Sequence, residues 1–333
     1  MKPALPLAIL AAAGLAAAAL ANDSTAEQAA GGLVLKQSGA IDMVSEDLYV
    51  SAEQIRVRYV FRNRSARDVR TIVAFPMPDR NLAELAESDA AFPSDFATSV
   101  NGRPVTMQVE RRAMLGTRDH SALLRSYGVP IVEDQSPVPA IGVRLDALSA
   151  ERQQRLVRLG LAEASEWDEG GGMRRHLLPR WTVKETWHWE QVFPAGRDLV
   201  VEHRYTPGTG GTAGVPLAFR EYRSSEDGRR AQADFCTDRE FLATLDRWSA
   251  AESRGGGYMT EQRVRYILTT GGNWRSPIGD FRLVVDKGRP ENIVSFCGTG
   301  LRRISPTQFE MRRRDWRPDR DLAVLIVRRE TGD

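Results

Sequence analysis

Residues 55–63 read IRVRYVFRN. Ile55, Val57, Tyr59 and Phe61 alternate with Arg56, Arg58 and Arg62, and a period of two marks a strand with one buried and one solvated face. Asn63-Arg64-Ser65 is turn chemistry, and Val69 to Phe75 reads as the return strand. Pro76 and Pro78 end it, because proline cannot donate to a ladder. The outline recurs downstream. Trp181, Val183, Trp187, Trp189 and Phe193 fall on odd positions, while Thr182, Lys184, Thr186, His188 and Glu190 occupy the other face. Pro194-Ala195-Gly196 then turns the chain into Leu199 to Tyr205. The two units, 54–75 and 185–206, outline an internal duplication, although chance accounts for the likeness almost as well.

Working outward, Phe96, Thr98 and Val100 lead into Asn101-Gly102, and Val105, Met107 and Val109 lead out. Asn-Gly supplies the positive φ angles of a type I′ hairpin turn. A helix is expected at 150–159, where Leu156 and Leu159 are spaced for one face, Ser149 precedes and Gly160 follows. A second is expected at 238–249, with Thr237 and Glu240 as a capping box. Strands are expected near 261–270, 280–286, 292–297, 307–313 and 321–328. Short strands with Gly/Pro turns indicate a mainly β chain of sandwich-like domains with short inserted helices. Length divides it into an N-terminal β-rich domain with a helical insertion, 22–206, and a C-terminal β-sandwich-like domain, 215–333. TPGTGGTAG at 206–214 separates the two as a solvated loop.

The first twenty-one residues stand apart. Lys2 precedes an alanine-rich apolar run that ends on Ala19-Leu20-Ala21 and turns polar at Asn22, which is the anatomy of a secretory signal peptide. The expectations are cleavage after Ala21, a periplasmic or secreted product, and no membrane span once the leader is removed. The formal charge is +2 over 333 residues, which gives no argument for nucleic acid. Hydrophobic residues make up 42% of the chain, enough for a substantial core.

Cys236 and Cys297 are the only cysteines. In an oxidising compartment an even count favours a disulfide over two buried thiols, and Cys-x-x-Cys spacing is lacking. Histidine occurs only at 120, 176, 188 and 203, without metal-ligand spacing, so neither a metal site nor a cofactor is expected. His188 and His203, on neighbouring strands, are expected to face each other as a polar pair. No nucleophile elbow or phosphate loop is present, and no catalytic residue is assigned. Asp42, Glu46 and Asp47 are carboxylates among which a hydrolase could recruit an acid and a base. Arg312, Arg313, Arg314 and Arg317, interleaved with Asp315, Asp319 and Asp321, read as a mixed-charge face. Trp181, Trp187 and Trp189 share one strand face. They belong to the core, or else they form an aromatic binding platform.

The opening NDSTAEQAAGGLVL, the internal VAFPMPD and WEQVFPAGRDLVVEHRYTP, and NWRSPIGDFRLVVDKG with NIVSFCGTGLRRISPTQFE resemble a family of secreted proteobacterial proteins known only as domain of unknown function 4424. The resemblance implies a periplasmic or secreted protein and implies no activity. Phe75-Pro76-Met77-Pro78 is similar to strand ends in β-sandwich modules of the vault and inter-alpha-trypsin-inhibitor type, a likeness that bears on fold alone. The expected function is a non-enzymatic binding module of the cell envelope whose partner is an envelope protein, a glycan or a small molecule. A structural or assembly factor and a hydrolase are the alternatives.

Overall fold

The computed structural model describes residues 24–29, 32–85, 93–132, 137–168, 170–210 and 214–330. The expected leader at 1–21 and part of the glycine-rich loop, 211–213, lie outside them. The chain begins with β1 (Ser24–Ala29), β2 (Gly32–Lys36), β3 (Ile41–Val50), β4 (Ile55–Asn63), β5 (Val69–Pro76), β6 (Arg80–Asn81) and the single turn α1 (Leu82–Leu85). Next come β7 (Ser94–Val100), β8 (Arg103–Val105), β9 (Gln108–Leu115), β10 (Arg118–Asp119), α2 (Ser121–Ser126), α3 (Pro137–Asp146) and α4 (Ala150–Arg158). β11 (Ala162–Asp168), β12 (Met173–Pro179), β13 (Thr182–Phe193) and β14 (Asp198–Thr206) follow. Then come α5 (Arg220–Ser224), α6 (Glu226–Phe235), α7 (Arg239–Glu252), β15 (Tyr258–Tyr266), β16 (Ile278–Asp286), β17 (Ile293–Phe296), β18 (Arg302–Arg303), β19 (Gln308–Trp316) and β20 (Leu322–Glu330).

The protein is mainly β. An eight-stranded sheet runs β18-β19-β16-β3-β4-β14-β7-β8. A seven-stranded sheet runs β10-β9-β13-β5-β1-β2, with β6 added on β13, and a three-stranded sheet runs β15-β20-β17. β16 pairs with β3 in parallel, so chain from both sides of residues 207–214 meets inside the largest sheet. The inner face of that sheet carries Ile55, Val57, Tyr59 and Phe61, all at most 2% exposed. They share one core with Val73, Phe75, Trp189 and Phe193 of the seven-stranded sheet and with Val264, Tyr266 and Val324 of the three-stranded sheet. Sheets packed face to face bury alternate residues of every strand. Two polar pairs are trapped between them: the hydroxyls of Tyr59 and Tyr266 meet at 2.7 Å, and Thr98 Oγ1 and His203 Nδ1 at 2.8 Å.

The two strand–turn–strand units are arches, not hairpins. β4 belongs to the eight-stranded sheet and β5 to the seven-stranded one, while β13 and β14 cross back the other way. The arches lie side by side: β4 pairs with β14 and β5 with β13, both antiparallel. None of residues 64–68 has a positive φ, so the primed turn of a tight hairpin is not formed. Asn63, fully buried, holds the crossing. Its Nδ2 donates to the carbonyls of Arg67 and Phe193, each at 2.8 Å. Its Oδ1 accepts from the Ser65 amide at 2.9 Å and from the Ser65 hydroxyl at 2.7 Å. The Asn-Gly hairpin forms, with φ of 48° at Asn101 and 75° at Gly102. Its pairing ends at Val105, however, and Val109 pairs with Trp187 in the other sheet.

More helix is present than the two expected segments. α4 begins at Ser149, whose side chain accepts from the Arg152 amide. α7 is capped by Asp238, which accepts from the Phe241 amide at 2.7 Å, in place of the expected Thr237. α2 and α3 join α4 over one end of the seven-stranded sheet, where Leu124, Ile141, Leu145 and Leu156 enclose Trp181 and Val183. α3 reads PVPAIGVRLD, and its prolines and glycine conceal it from propensity. α6 contains Gly228, where an added Cβ would stand 1.8 Å from the Tyr222 carbonyl, so the turn between α5 and α6 depends on glycine there. Phe235, Phe241 and Leu245 pack these later helices on Leu325 and Val327 of β20. Cys236 closes α6 with a left-handed φ of 50° and is bonded to Cys297 with the Cα atoms 5.0 Å apart, as anticipated.

Asn63→Ala removes all four hydrogen bonds at a buried site. It is expected to lower unfolding stability by about 3 kcal/mol, since each stranded buried polar group costs roughly 1–3 kcal/mol. Urea unfolding followed by tryptophan fluorescence measures this, and a loss below about 1 kcal/mol would show that the corner is held by something else.

Candidate functional site

The outer face of the eight-stranded sheet is built from the polar half of each period-two strand. β4 and β14 place four outward pairs in direct register: Arg62–Asp198, Val60–Val200, Arg58–Glu202 and Arg56–Arg204. The first charged pair is a fork with N–O distances of 2.5 and 2.6 Å. In the second, Arg58 Nε lies 3.7 Å from Glu202. The third sets two arginines opposite each other. Around it the face forms a groove of about 690 Å3, to which β3 contributes Asp47 and Tyr49, β16 contributes Arg282, and β7 and β8 contribute Ser99 and Pro104.

Charge in the groove is balanced at its sides and not at its centre. Arg282 donates to Asp47 at 3.0 Å and to Glu310 at 2.8 Å. Glu310 accepts from Arg282, Arg312 and Arg302, which together hold its carboxyl down to about 2. The Tyr49 hydroxyl donates to Asp286 at 3.0 Å, and burial, reinforced by that carboxylate, raises the phenol pKa. Burial works upward on Asp286, but hydrogen bonds from Gln308, the Gly288 amide, Thr307 and Tyr49 outweigh it and keep the carboxyl below its ordinary range. The Arg56 guanidinium lies 4.4 Å above the centre of the Tyr49 ring, a cation–π contact that orients it without neutralising it. Among the described residues, neither Arg56 nor Arg204 forms an ion pair.

The aromatic residues singled out in the sequence lie elsewhere. Trp181 is fully buried beneath the helices, with Nε1 donating to the Ile131 carbonyl at 2.9 Å. Trp189 is 4% exposed in the main core. Trp187 is half-buried, stacked on Phe96 with centroids 5.1 Å apart, and its Nε1 donates to Glu185 at 2.9 Å. One strand face thus serves two cores, and the three indoles form no exposed platform. His188 and His203 do not face each other, because β13 and β14 are in different sheets. His203 points inward, while His188 sits on the opposite side of the seven-stranded sheet, its pKa lowered by burial despite nearby Glu110.

The three singled-out carboxylates do not converge either. Asp42 holds Arg275 and Arg64, Asp47 holds Arg282 on the outer face, and Glu46 is buried on the inner face. Among the described residues, no group of three His, Cys, Asp or Glu side chains is arranged to hold a metal ion. In the Arg/Asp-rich stretch, Arg312 bonds Glu310, Arg313 bonds Thr299, and Asp321 accepts from the amides of Leu268 and Thr269. Sequence reading missed the Arg56–Arg204 pair. Arg56 was visible as an outward position and Arg204 was not singled out, and the register that sets them opposite is a long-range property.

The chain belongs to the family described as domain of unknown function 4424, whose model matches residues 21–325. No curated protein matches it. Among solved structures it is similar to a protein of Legionella pneumophila described as a candidate nutrient-binding protein, with 15% identity and a TM-score of 0.46, covering 92% of this chain and 70% of that one. No helix among the described residues is long and apolar enough to cross a membrane.

Glu310 yields a test of the groove's electrostatics. A carboxyl held at about 2, against an ordinary 4.5, contributes stability that is complete above pH 4.5 and is lost as the pH falls towards 2. The stability advantage of the wild type over Glu310→Gln should therefore shrink across that window and stay level above it. Thermal unfolding of both proteins at stepped pH measures the difference, and a gap that does not change with pH would contradict the assignment.

Proposed function

We propose that this protein is a non-enzymatic binding module of the cell envelope, and that the groove on its eight-stranded sheet holds an anionic ligand. The pairing of Arg56 with Arg204 carries the reading. Like charges directly opposite on neighbouring strands are destabilising, and the other two charged rows of the same two strands avoid this with Asp198 and Glu202. An anion bridging the two guanidiniums would supply the missing countercharge, and guanidinium geometry suits carboxylate and phosphate oxygens. Tyr49 holds one guanidinium in place, so less side-chain freedom is lost on binding. A small organic acid, an acidic glycan and acidic side chains of an envelope protein all present this chemistry. The extracytoplasmic setting is supported by the leader pattern at 1–21 and by the Cys236–Cys297 bond, since structural disulfides persist in oxidising compartments.

Two measurements test this reading. N-terminal sequencing of the exported protein should find Asn22 as its first residue, and retention of Met1–Ala21 would remove the export argument. Isothermal titration with succinate, inorganic phosphate and a polygalacturonate oligomer should find at least one ligand whose affinity falls as salt rises. Arg204→Ala and Arg56→Ala should each weaken that ligand about tenfold, as expected for loss of a charge-assisted hydrogen bond. Failure of all three anions to bind, or equal binding by wild type and variants, would overturn the proposal.

A further inference from the structure

A second concavity, of about 850 Å3, opens between the eight-stranded and three-stranded sheets beside the disulfide. Its floor is an extension of the main core: Leu283 and Met311 are buried there, and Phe309, Trp316 and Val294 are half-buried against them. Trp316 is fixed by its contact with Phe281, centroids 4.5 Å apart. Leu301 stands at the lip, 41% exposed. The main core thus reaches the surface at this end of the molecule, in a hollow of the size that small ligands occupy.

The mouth carries Arg303, Arg313 and Arg320. Each meets only neutral acceptors. Arg303 donates to the carbonyls of Ser305 and Pro306 at 3.1 and 2.9 Å. Arg313 Nη2 donates to the Thr299 carbonyl at 2.6 Å. Arg320 Nη1 lies 3.3 Å from Cys297 Sγ and 3.9 Å from Cys236 Sγ. Of three carboxylates at the same mouth, two are turned to backbone amides: Asp238 takes the Phe241 N–H at 2.7 Å, and Asp321 takes those of Leu268 and Thr269, each at 3.1 Å; the third, Asp319, is exposed to solvent. Among the described residues the three arginines form no ion pair, and together with the exposed Asp319 they ring an apolar floor. The disulfide anchors the start of the 297–303 segment that forms the rim, so the mouth keeps its shape before a ligand arrives.

We infer that this groove binds a free amphipathic carboxylate, a fatty-acid-like ligand whose chain lies along Phe309 and Trp316 and whose head meets Arg313 and Arg320. The inference is independent of the anion groove on the outer sheet face, and the test keeps the two apart. Dodecanoate, below its micelle concentration, is titrated into the full chain as exported. Saturable binding at one site per molecule is expected. Hexanoate should bind at least tenfold more weakly, since six fewer methylenes are buried. The Arg313→Ala/Arg320→Ala double variant, verified as folded by circular dichroism, should lose about tenfold or more in affinity. Arg56→Ala should leave dodecanoate binding unchanged. Absence of binding, equal binding by the double variant, or equal affinity for the neutral dodecanol would each overturn the inference. Should the double variant fail to fold, the dodecanoate–dodecanol comparison on the wild type still decides it.

Discussion

Asn63 sits where the chain leaves the eight-stranded sheet for the seven-stranded one, and its carboxamide uses both donor hydrogens and two acceptor positions there. The bond to the Phe193 carbonyl is the one that reaches between the arches, because Phe193 ends the strand that approaches the same corner from the other side. The Gly196 amide returns to the Asn63 carbonyl at 3.1 Å. The registers of β4 against β14 and of β5 against β13 are thus tied together at one buried residue. A one-residue slip would turn Tyr59 and Phe61 outward and Arg58 and Arg62 inward, and burying those arginines without partners would be prohibitive. The corner therefore decides which residues face the core and which face the groove.

The interior that results is not purely apolar. The hydroxyl pair of Tyr59 and Tyr266 links the eight-stranded sheet to the three-stranded one, and Phe75 lies within 4.9 Å of His203 and 6.2 Å of Tyr266 where the three sheets meet. Glu185 marks another boundary. It lies on the β13 face between the helix-covered Val183 and the main-core Trp189, 5% exposed. Arg80 at 3.0 Å, Arg111 at 2.8 Å and the Trp187 indole at 2.9 Å surround its carboxylate. A buried charge is tolerated only with such a full set of partners. Its place between two hydrophobic cores lets one strand face serve both.

The two grooves differ in how positive charge is presented. On the outer sheet face the arginines stand in rows dictated by strand register, so the pattern of paired and unpaired charges follows from the ladder itself. At the disulfide groove Arg313 comes from within β19, Arg303 from the end of β18 and Arg320 from a loop, and their neutral partners are backbone carbonyls, a threonine and the sulfur atoms. The first arrangement suits a polar anion lying across strands. The second suits one whose remainder is apolar, because the floor beneath it is core.

The strands, the Asn-Gly turn, the 150–158 helix and the 236–297 disulfide were legible in the sequence, because each rests on local chemistry: period-two alternation, positive φ at Asn-Gly, a serine cap, and a cysteine count of two. The same alternation identified Arg56 and Arg58 as outward residues. What local pattern could not supply was partnership. Turn chemistry at Asn63-Arg64-Ser65 is the same whether the chain returns in its own sheet or climbs to another, so local pattern does not distinguish an arch from a hairpin or decide whether His188 faces His203. Helix α3, rich in proline and glycine, forms because its apolar residues cover Trp181, a tertiary demand that propensity does not carry. Trp181, Trp187 and Trp189 lie on one strand face by sequence alone, yet whether that face meets solvent or core is decided by which sheet is packed against it. The sequence by itself determined which face of each strand is charged, since side-chain direction is a backbone property. Only the tertiary structure decided that Arg56 would stand opposite Arg204, because that register is set by β4 and β14, more than a hundred residues apart, packed on a shared core.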